Sequence, residues 1–233
     1  MAHVSAYDAF APIYDQLAAG MTEDVAFYVE LAEEAQGPVV ELAVGTGRVA
    51  IPIVERTGRR VIGIDVSSEM LEVARRNAAA GDVALDLRHS DMSEFELDEP
   101  TDLVICPFRA MLHLRGHDAR VNVMRRVRDV LVPRGRLAWN AFVFDPAVAA
   151  EIDGVWREEN GVRNRSTYDH DERRIDLELE NGATVLLWWV DREEWEAAIL
   201  EAGLEVEALY GWFDRRPFDE TSREFVYVAR RPS

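Results

Sequence analysis

The sequence predicts an α/β protein with a mostly parallel sheet and helices on both faces. Three observations carry this. Short apolar runs at 39–44, 61–65 and 102–106 read as strands buried on both sides, separated by stretches with helical periodicity. The first run passes directly into a glycine turn and a helix over about 48–56. Beyond residue 155 the pattern changes to closely spaced alternating runs, too close together for strand–helix–strand units, which read as an antiparallel insertion.

The turn organises the rest. In Val39, Val40, Glu41, Leu42, Ala43, Val44, Gly45, Thr46, Gly47, Arg48, the two glycines let the chain turn sharply and let a ligand approach bare backbone. Ligands of open α/β sheets bind beyond the carboxyl ends of the strands. The pattern Gly45, Gly47, Ala50 is a weak signal alone, shared with dinucleotide sites that hold a pyrophosphate on a helix N-terminus. Glu41, just before the turn, would repel a pyrophosphate. It suits a ligand without phosphate and with a cationic amino-acid end, such as S-adenosylmethionine (SAM). A carboxylate merely solvated at a strand end is the equal alternative.

The following strands add two more acids. Asp65 closes the run 61–65, 18 residues beyond Gly47, close to the usual offset of a ribose-binding carboxylate. Asp91 follows a run over 83–87 and could accept from an adenine amino group, with Met92 against the ring. Three successive strands, each ending near one acid, are more specific than any one of them.

On these residues the segment 39–137 resembles the class I SAM-dependent methyltransferases. Glu41, Leu42, Ala43, Val44, Gly45, Thr46 and Gly47 resemble the family's first motif, usually Asp/Glu-Leu-Gly-Cys-Gly-Thr-Gly. Ala43 departs from it by placing a Cβ beside the cofactor path. Leu131, Val132, Pro133, Arg134 and Gly135 resemble the turn before the fifth strand. The resemblance implies a Rossmann-like, seven-stranded, mostly parallel sheet with a small antiparallel β insertion. It also implies cofactor contacts from Tyr7, Glu41, Ala43, Gly45, Thr46, Gly47, Asp65, Val66, Met70, Ser90, Asp91, Met92 and Pro107. The termini are similar to small-molecule members, including amino-sugar N-methyltransferases.

Composition narrows the partners. The chain has 233 residues, 48% hydrophobic and 30% charged, which describes one globular body with a sizeable core. A net charge of −18 disfavours nucleic acid and anionic membranes, leaving a small-molecule acceptor. All basic residues are Arg, which reflects genome or habitat more than chemistry. The single cysteine, Cys106, excludes an internal disulfide and lies in an apolar run where an inert thiol is expected. No signal-like start or long apolar span is present, so the cytoplasm is the default location. No metal-ligand set is expected.

The body is expected over 1–145 and 191–233, with 1–20 as a lid and 146–190 as the insertion at the substrate side, where it could also offer a homodimer surface. Tyr7, Asp8, Phe10, Ala11, Tyr14 and Asp15 resemble the opening that folds over the cofactor in small-molecule methyltransferases, with Pro12 preventing one long helix. Plain packing of Tyr7, Phe10 and Tyr14 is the alternative. Thr22, Ser67 or Ser68, and Asp191 are candidate helix caps. Met70 faces either the adenine or the core. The loop 107–114 after the fourth strand resembles the family's motif IV loop, and Arg109, His113 and Tyr14 are the candidate catalytic groups on the substrate side. A helix-face histidine is the other reading of His113. Asn181 and Gly182 signal a hairpin. The loop 211–222, with Trp212, could reach the mouth of the site. The expected function is methyl transfer to a small-molecule N or O acceptor. Two rivals stay open: a nicotinamide oxidoreductase, in which Glu41 and Asp91 would have no purpose, and a SAM-fold protein that binds a ligand or partner without catalysis.

Overall fold

The computed structural model of the chain describes residues 6–20 and 22–233. A 3₁₀ turn over Ala6–Ala9 precedes α1 (Tyr14–Ala18) and α2 (Glu23–Glu34). Then come β1 (Val39–Leu42), α3 (Ala50–Thr57), β2 (Val61–Asp65), α4 (Ser68–Ala80) and β3 (Asp86–His89). β4 (Thr101–Cys106), a 3₁₀ turn over Ala110–His113, α5 (Gly116–Val130) and β5 (Leu131–Phe142) complete the parallel part. The insertion contains α6 (Pro146–Ile152), β6 (Trp156–Glu159), β7 (Val162–Asp169), β8 (Arg174–Leu179) and β9 (Thr184–Trp188). α7 (Arg192–Glu201), β10 (Glu205–Tyr210) and β11 (Glu224–Arg230) close the chain.

The main sheet has seven strands in the order β10, β11, β5, β4, β1, β2, β3. β1 to β5 run parallel, and β11 and β10 join antiparallel. The four insertion strands form a separate antiparallel sheet in sequence order. The predicted fold class is therefore the observed one. β1 and β2 are buried at every position, as strands covered by helices on both faces must be. One core lies between the sheet and α5 and α7, where Trp139 stacks on Tyr227 and Trp195 packs tilted against both, all of them fully buried. The opposite face packs against α2, α3 and the Phe213 loop.

Several boundaries move for local reasons. The third strand starts at Asp86, not at 83, because Val83 N–H closes α4 on Ala78 O and pairing with β2 begins at Ile62. Gly135 sits where β5 folds close on itself, since a Cβ there would lie 2.9 Å from Val132 O. Ser67 caps α4 by accepting Met70 N–H, and Glu194 accepts Asp191 N–H at the start of α7. Thr22 makes no side-chain cap. The hairpin at Asn181 and Gly182 is present, with Gly182 at φ +83°. The loop 211–222 gives no residue to the cleft lining: Trp212 and Phe213 pack on the α2 side of the sheet and residues 214–217 are exposed. No helix among the described residues is long and apolar enough to cross a membrane.

Asp24, in the first turn of α2, is fully buried. Its two oxygens accept from Arg48 Nη1 and Nη2 at 2.8 and 2.5 Å, which pins α2 to the turn after β1. Removing one member of a buried pair strands the other charge. Asp24→Asn should therefore lower unfolding free energy by about 3 kcal/mol in a urea titration. A change under about 0.5 kcal/mol would show that the pair does not hold the helix.

Candidate active site

The site starts at the end of β1. Ala43, Gly45 and Gly47 all have positive φ, at +54°, +54° and +83°. Alternating left-handed residues wind the chain around an open space. This accounts for the departure seen in the sequence: a glycine fits position 43 without strain, whereas Ala43 pays about 1 kcal/mol for the same φ. A Cβ on Gly45 would come within 3.7 Å of the Tyr14 ring. Gly47 serves packing instead, because a Cβ there would meet Ile51 at 3.2 Å.

Asp65 ends β2 directly beside this turn. Its carboxylate accepts Gly45 N–H and Ser67 N–H, both at 2.8 Å, and is only 7% exposed. Burial pushes its pKa up in spite of those bonds. Asp91, beyond β3, is exposed and accepts Ser93 N–H and Oγ–H through one oxygen. Both acids line a cleft of about 450 Å³, together with Ala43, Gly45, Val66, Met70, Ser90, Met92 and Pro107. With Tyr7, ten of the cofactor residues expected from sequence thus share one cavity at the carboxyl edge of the sheet.

The N-terminal segment and the insertion cover the cleft from the other side. Ser67 Oγ donates to Asp8 and Thr46 Oγ1 donates to Asp15, each at 2.5 Å, fastening the segment over the turn. Tyr7 and Tyr14 line the cleft edge to edge, their centroids 6.4 Å apart, and Tyr14 meets Phe108 in the same way at 5.8 Å. Val185, Leu186 and Trp188 of β9 and Leu114 form the facing wall. Phe108 and Leu186 were not legible as site residues. No periodicity shows which side chains a loop turns inward, or which face of an insertion strand meets the body.

His113 joins these parts. Its Nδ1 is 2.7 Å from Leu186 O and its Nε2 is 2.7 Å from Tyr7 Oη. A carbonyl can only accept, so Nδ1 carries the proton and Nε2 accepts the Tyr7 hydroxyl. Burial pushes the imidazole down to about 4 and the Tyr7 phenol well up. At neutral pH the pair is uncharged.

Four expected site residues stand elsewhere. Arg109 faces away from the cleft: Nε and Nη2 donate to Glu224 at 3.1 and 2.8 Å, and its guanidinium lies over Phe142. Glu224 is 1% exposed and also accepts Asn140 Nδ2, so an unpaired Glu224 would be costly and Arg109 is held to it. Thr46 and Gly47 line a groove on the outer side of the turn. Glu41 lies beneath the turn, 2% exposed, outside the cleft lining. Its Oε2 has no hydrogen-bond partner among the described residues, and burial pushes its pKa well up. An orphaned buried carboxylate oxygen below the turn fits a ligand that brings a cationic group.

Comparison with known proteins agrees with this geometry. Residues 39–135 match a methyltransferase-domain family. Over 136 residues the chain is 30% identical to the YqeM protein of Bacillus subtilis, a stretch covering 58% of this chain and about half, 54%, of that one. Over 205 residues it is 24% identical to the dTDP-3-amino-3,6-dideoxy-alpha-D-glucopyranose N,N-dimethyltransferase of Streptomyces fradiae, covering 81% and 78% of the two chains. The CcbJ methyltransferase of Streptomyces caelestis superposes with a TM-score of 0.83 at 27% identity, over 99% of both chains. With the acid-bearing strand ends and the left-handed turn, residues 39–135 are similar to methyltransferase domains, and the chain shares its fold with the CcbJ methyltransferase.

Proposed function

We propose that this protein transfers a methyl group from SAM to a nitrogen or oxygen of a small molecule held between the N-terminal segment, the loop after β4 and β9. The observation that carries this is the single cleft in which Asp65 and Asp91 meet Tyr7, Tyr14, His113 and the insertion. SAM supplies an electrophilic methyl on a sulfonium. Asp65 would accept the ribose hydroxyls, Asp91 the adenine amino group, and Glu41 would answer the amino-acid ammonium. Met70, Met92 and Val66 give apolar walls, and the Tyr7 and Tyr14 rings offer π-faces to positive charge.

The protein's work in such a displacement is alignment and exclusion of water. The cleft walls do the second. For the first, His113 holds the Tyr7 hydroxyl, and Leu186 O fixes the imidazole tautomer. Burial leaves no strong base on the acceptor side, since the imidazole is pushed down and both phenols are pushed up. That favours an acceptor nitrogen that is already neutral, which needs no proton removed before attack. The relative from Streptomyces fradiae, named as an N,N-dimethyltransferase, supports the same acceptor atom.

Transfer of label from SAM across a panel of small amines, alcohols and phenols tests the reading. Methylated amines are the expected products. Tight SAM binding with no transfer to any member would overturn it. Asp65→Asn, which cannot accept through the replaced oxygen, should weaken SAM binding by about 1–3 kcal/mol while the folded protein persists in circular dichroism. Unchanged affinity would move the ribose elsewhere.

Glu41 generates a pH prediction. Its raised pKa means that a proton must leave before the carboxylate can meet an ammonium. SAM affinity should therefore rise as pH rises through the titration of the free-state carboxyl, with proton release on binding, and Glu41→Gln should remove that dependence. Calorimetry in buffers of different ionisation enthalpy measures both; an identical pH profile in wild type and Glu41→Gln would exclude the contact.

Tyr7→Phe removes the hydroxyl held by His113 but keeps the ring. It should lower the rate of transfer about 10-fold or more with SAM affinity little changed. Equal loss of SAM binding would assign Tyr7 to the cofactor alone.

A further inference from the structure

A second cavity, of about 320 Å³, lies between the insertion and the end of β5 and shares no lining residue with the cleft. We infer that it is a second small-molecule site, built for an uncharged, flat apolar compound carrying one hydrogen-bond donor. Its size is at the lower end for small-molecule pockets. Phe142 and Phe144 after β5, Ile175 and Leu177 of β8, and Leu187 of β9 give it apolar walls.

Two buried polar side chains of β7 line it. Ser166 is 7% exposed, and its hydroxyl makes no hydrogen bond to a described residue. Asn164 is 2% exposed; its Nδ2 donates to Val162 O at 3.3 Å, leaving Oδ1 to accept. Both side chains keep capacity for one more hydrogen bond, so a ligand with a donor can meet them on this wall.

The charges decide the ligand class. Arg109 is neutralised by both oxygens of Glu224. Asp145 accepts Ala147 and Val148 N–H at the start of α6 and has Arg223 at 3.9 Å. Arg157 and Glu159, two residues apart on β6, bring one charge of each sign. The charges around the cavity balance in sign, so a charged ligand would gain no net attraction and would lose its hydration. An uncharged one loses little and gains Asn164 Oδ1 as an acceptor.

The site backs onto the cleft. Leu187 faces the cavity and Leu186 the cleft, by the alternation of β9. Arg109 lines one and Phe108 the other. Occupancy would therefore bear on the strand whose carbonyl fixes His113.

The test uses N-phenyl-1-naphthylamine, a flat, uncharged fluorophore with one N–H, titrated into the full-length protein. A saturable rise in fluorescence is expected, and it should persist when S-adenosylhomocysteine saturates the cleft. Val148, 47% exposed on α6 at the cavity's rim, tolerates bulk. Val148→Trp should weaken the dye at least 10-fold and leave S-adenosylhomocysteine affinity within twofold. Ser166→Leu, filling the cavity from inside, should do the same. No saturable dye binding, displacement of the dye by S-adenosylhomocysteine, or dye affinity unchanged in Val148→Trp would each overturn the inference. Calorimetry with S-adenosylhomocysteine alone reports on the cofactor reading separately, and the Val148→Trp comparison decides the second site whatever that gives.

Discussion

The structure turns on one carboxylate. Asp65 accepts an N–H from the turn after β1 and an N–H from the turn after β2, so it ties together the two loops that frame the cleft. Gly45 can offer its N–H only because the chain there is left-handed, at φ +54°. Ser67, the other donor residue, simultaneously caps α4 and donates to Asp8 of the N-terminal segment. One buried acid thus fixes the turn, the start of a helix and, through Ser67, the cover over both. Taking a carboxylate out of water is costly, and the two N–H bonds are what make its position tolerable.

A second set of buried charges holds the opposite rim. Arg109 and Phe108 are consecutive left-handed residues, at φ +65° and +56°. Strain of this kind persists only where the surroundings impose it. Here Glu224, with Asn140 and Tyr28 behind it, draws Arg109 inward through a chain of buried hydrogen bonds. Phe108 is thereby turned outward against Tyr14, with Arg48 over its other side at 4.7 Å. Arg48 is in turn held by Asp24, so α2 reaches the cleft through two contacts and no lining residue. Arg109 is thus engaged by Glu224 beside the rim, where its place in the sequence suggested a group facing the substrate.

What the sequence discloses follows from which interactions are local. The strand-end acids, the glycine turn and the hairpin at Asn181 and Gly182 depend on neighbours a few residues away, and all are where the sequence places them. The mostly parallel α/β class was legible because buried strands and amphipathic helices repeat with distinct periods, and the resemblance implied the seven strands. The partners of Arg109, Asp24 and His113 lie 115, 24 and 73 or 106 residues away in the chain, and no local pattern encodes them. Gly47 and Thr46 line a different groove from the other expected cofactor residues for a related reason. A glycine turn has two sides, and spacing alone cannot say which side meets the ligand.

The insertion is where these distant contacts acquire functional meaning. β9 lends the cleft a wall, but its backbone does more than its side chains. Leu186 O takes the Nδ1 proton of His113, which leaves Nε2 as an acceptor, which in turn holds the hydroxyl of Tyr7. Three segments far apart in sequence therefore meet in two hydrogen bonds. Neither bond survives alone in useful form: without the carbonyl the imidazole is free to present N–H to Tyr7, and without the phenol the imidazole loses its link to the N-terminal segment. Because the chain is uncharged at this junction, it can lie against an apolar wall without desolvating an ion. This side of the cleft is thus set by a neutral relay, while the carboxyl groups of Asp65 and Asp91 line the other.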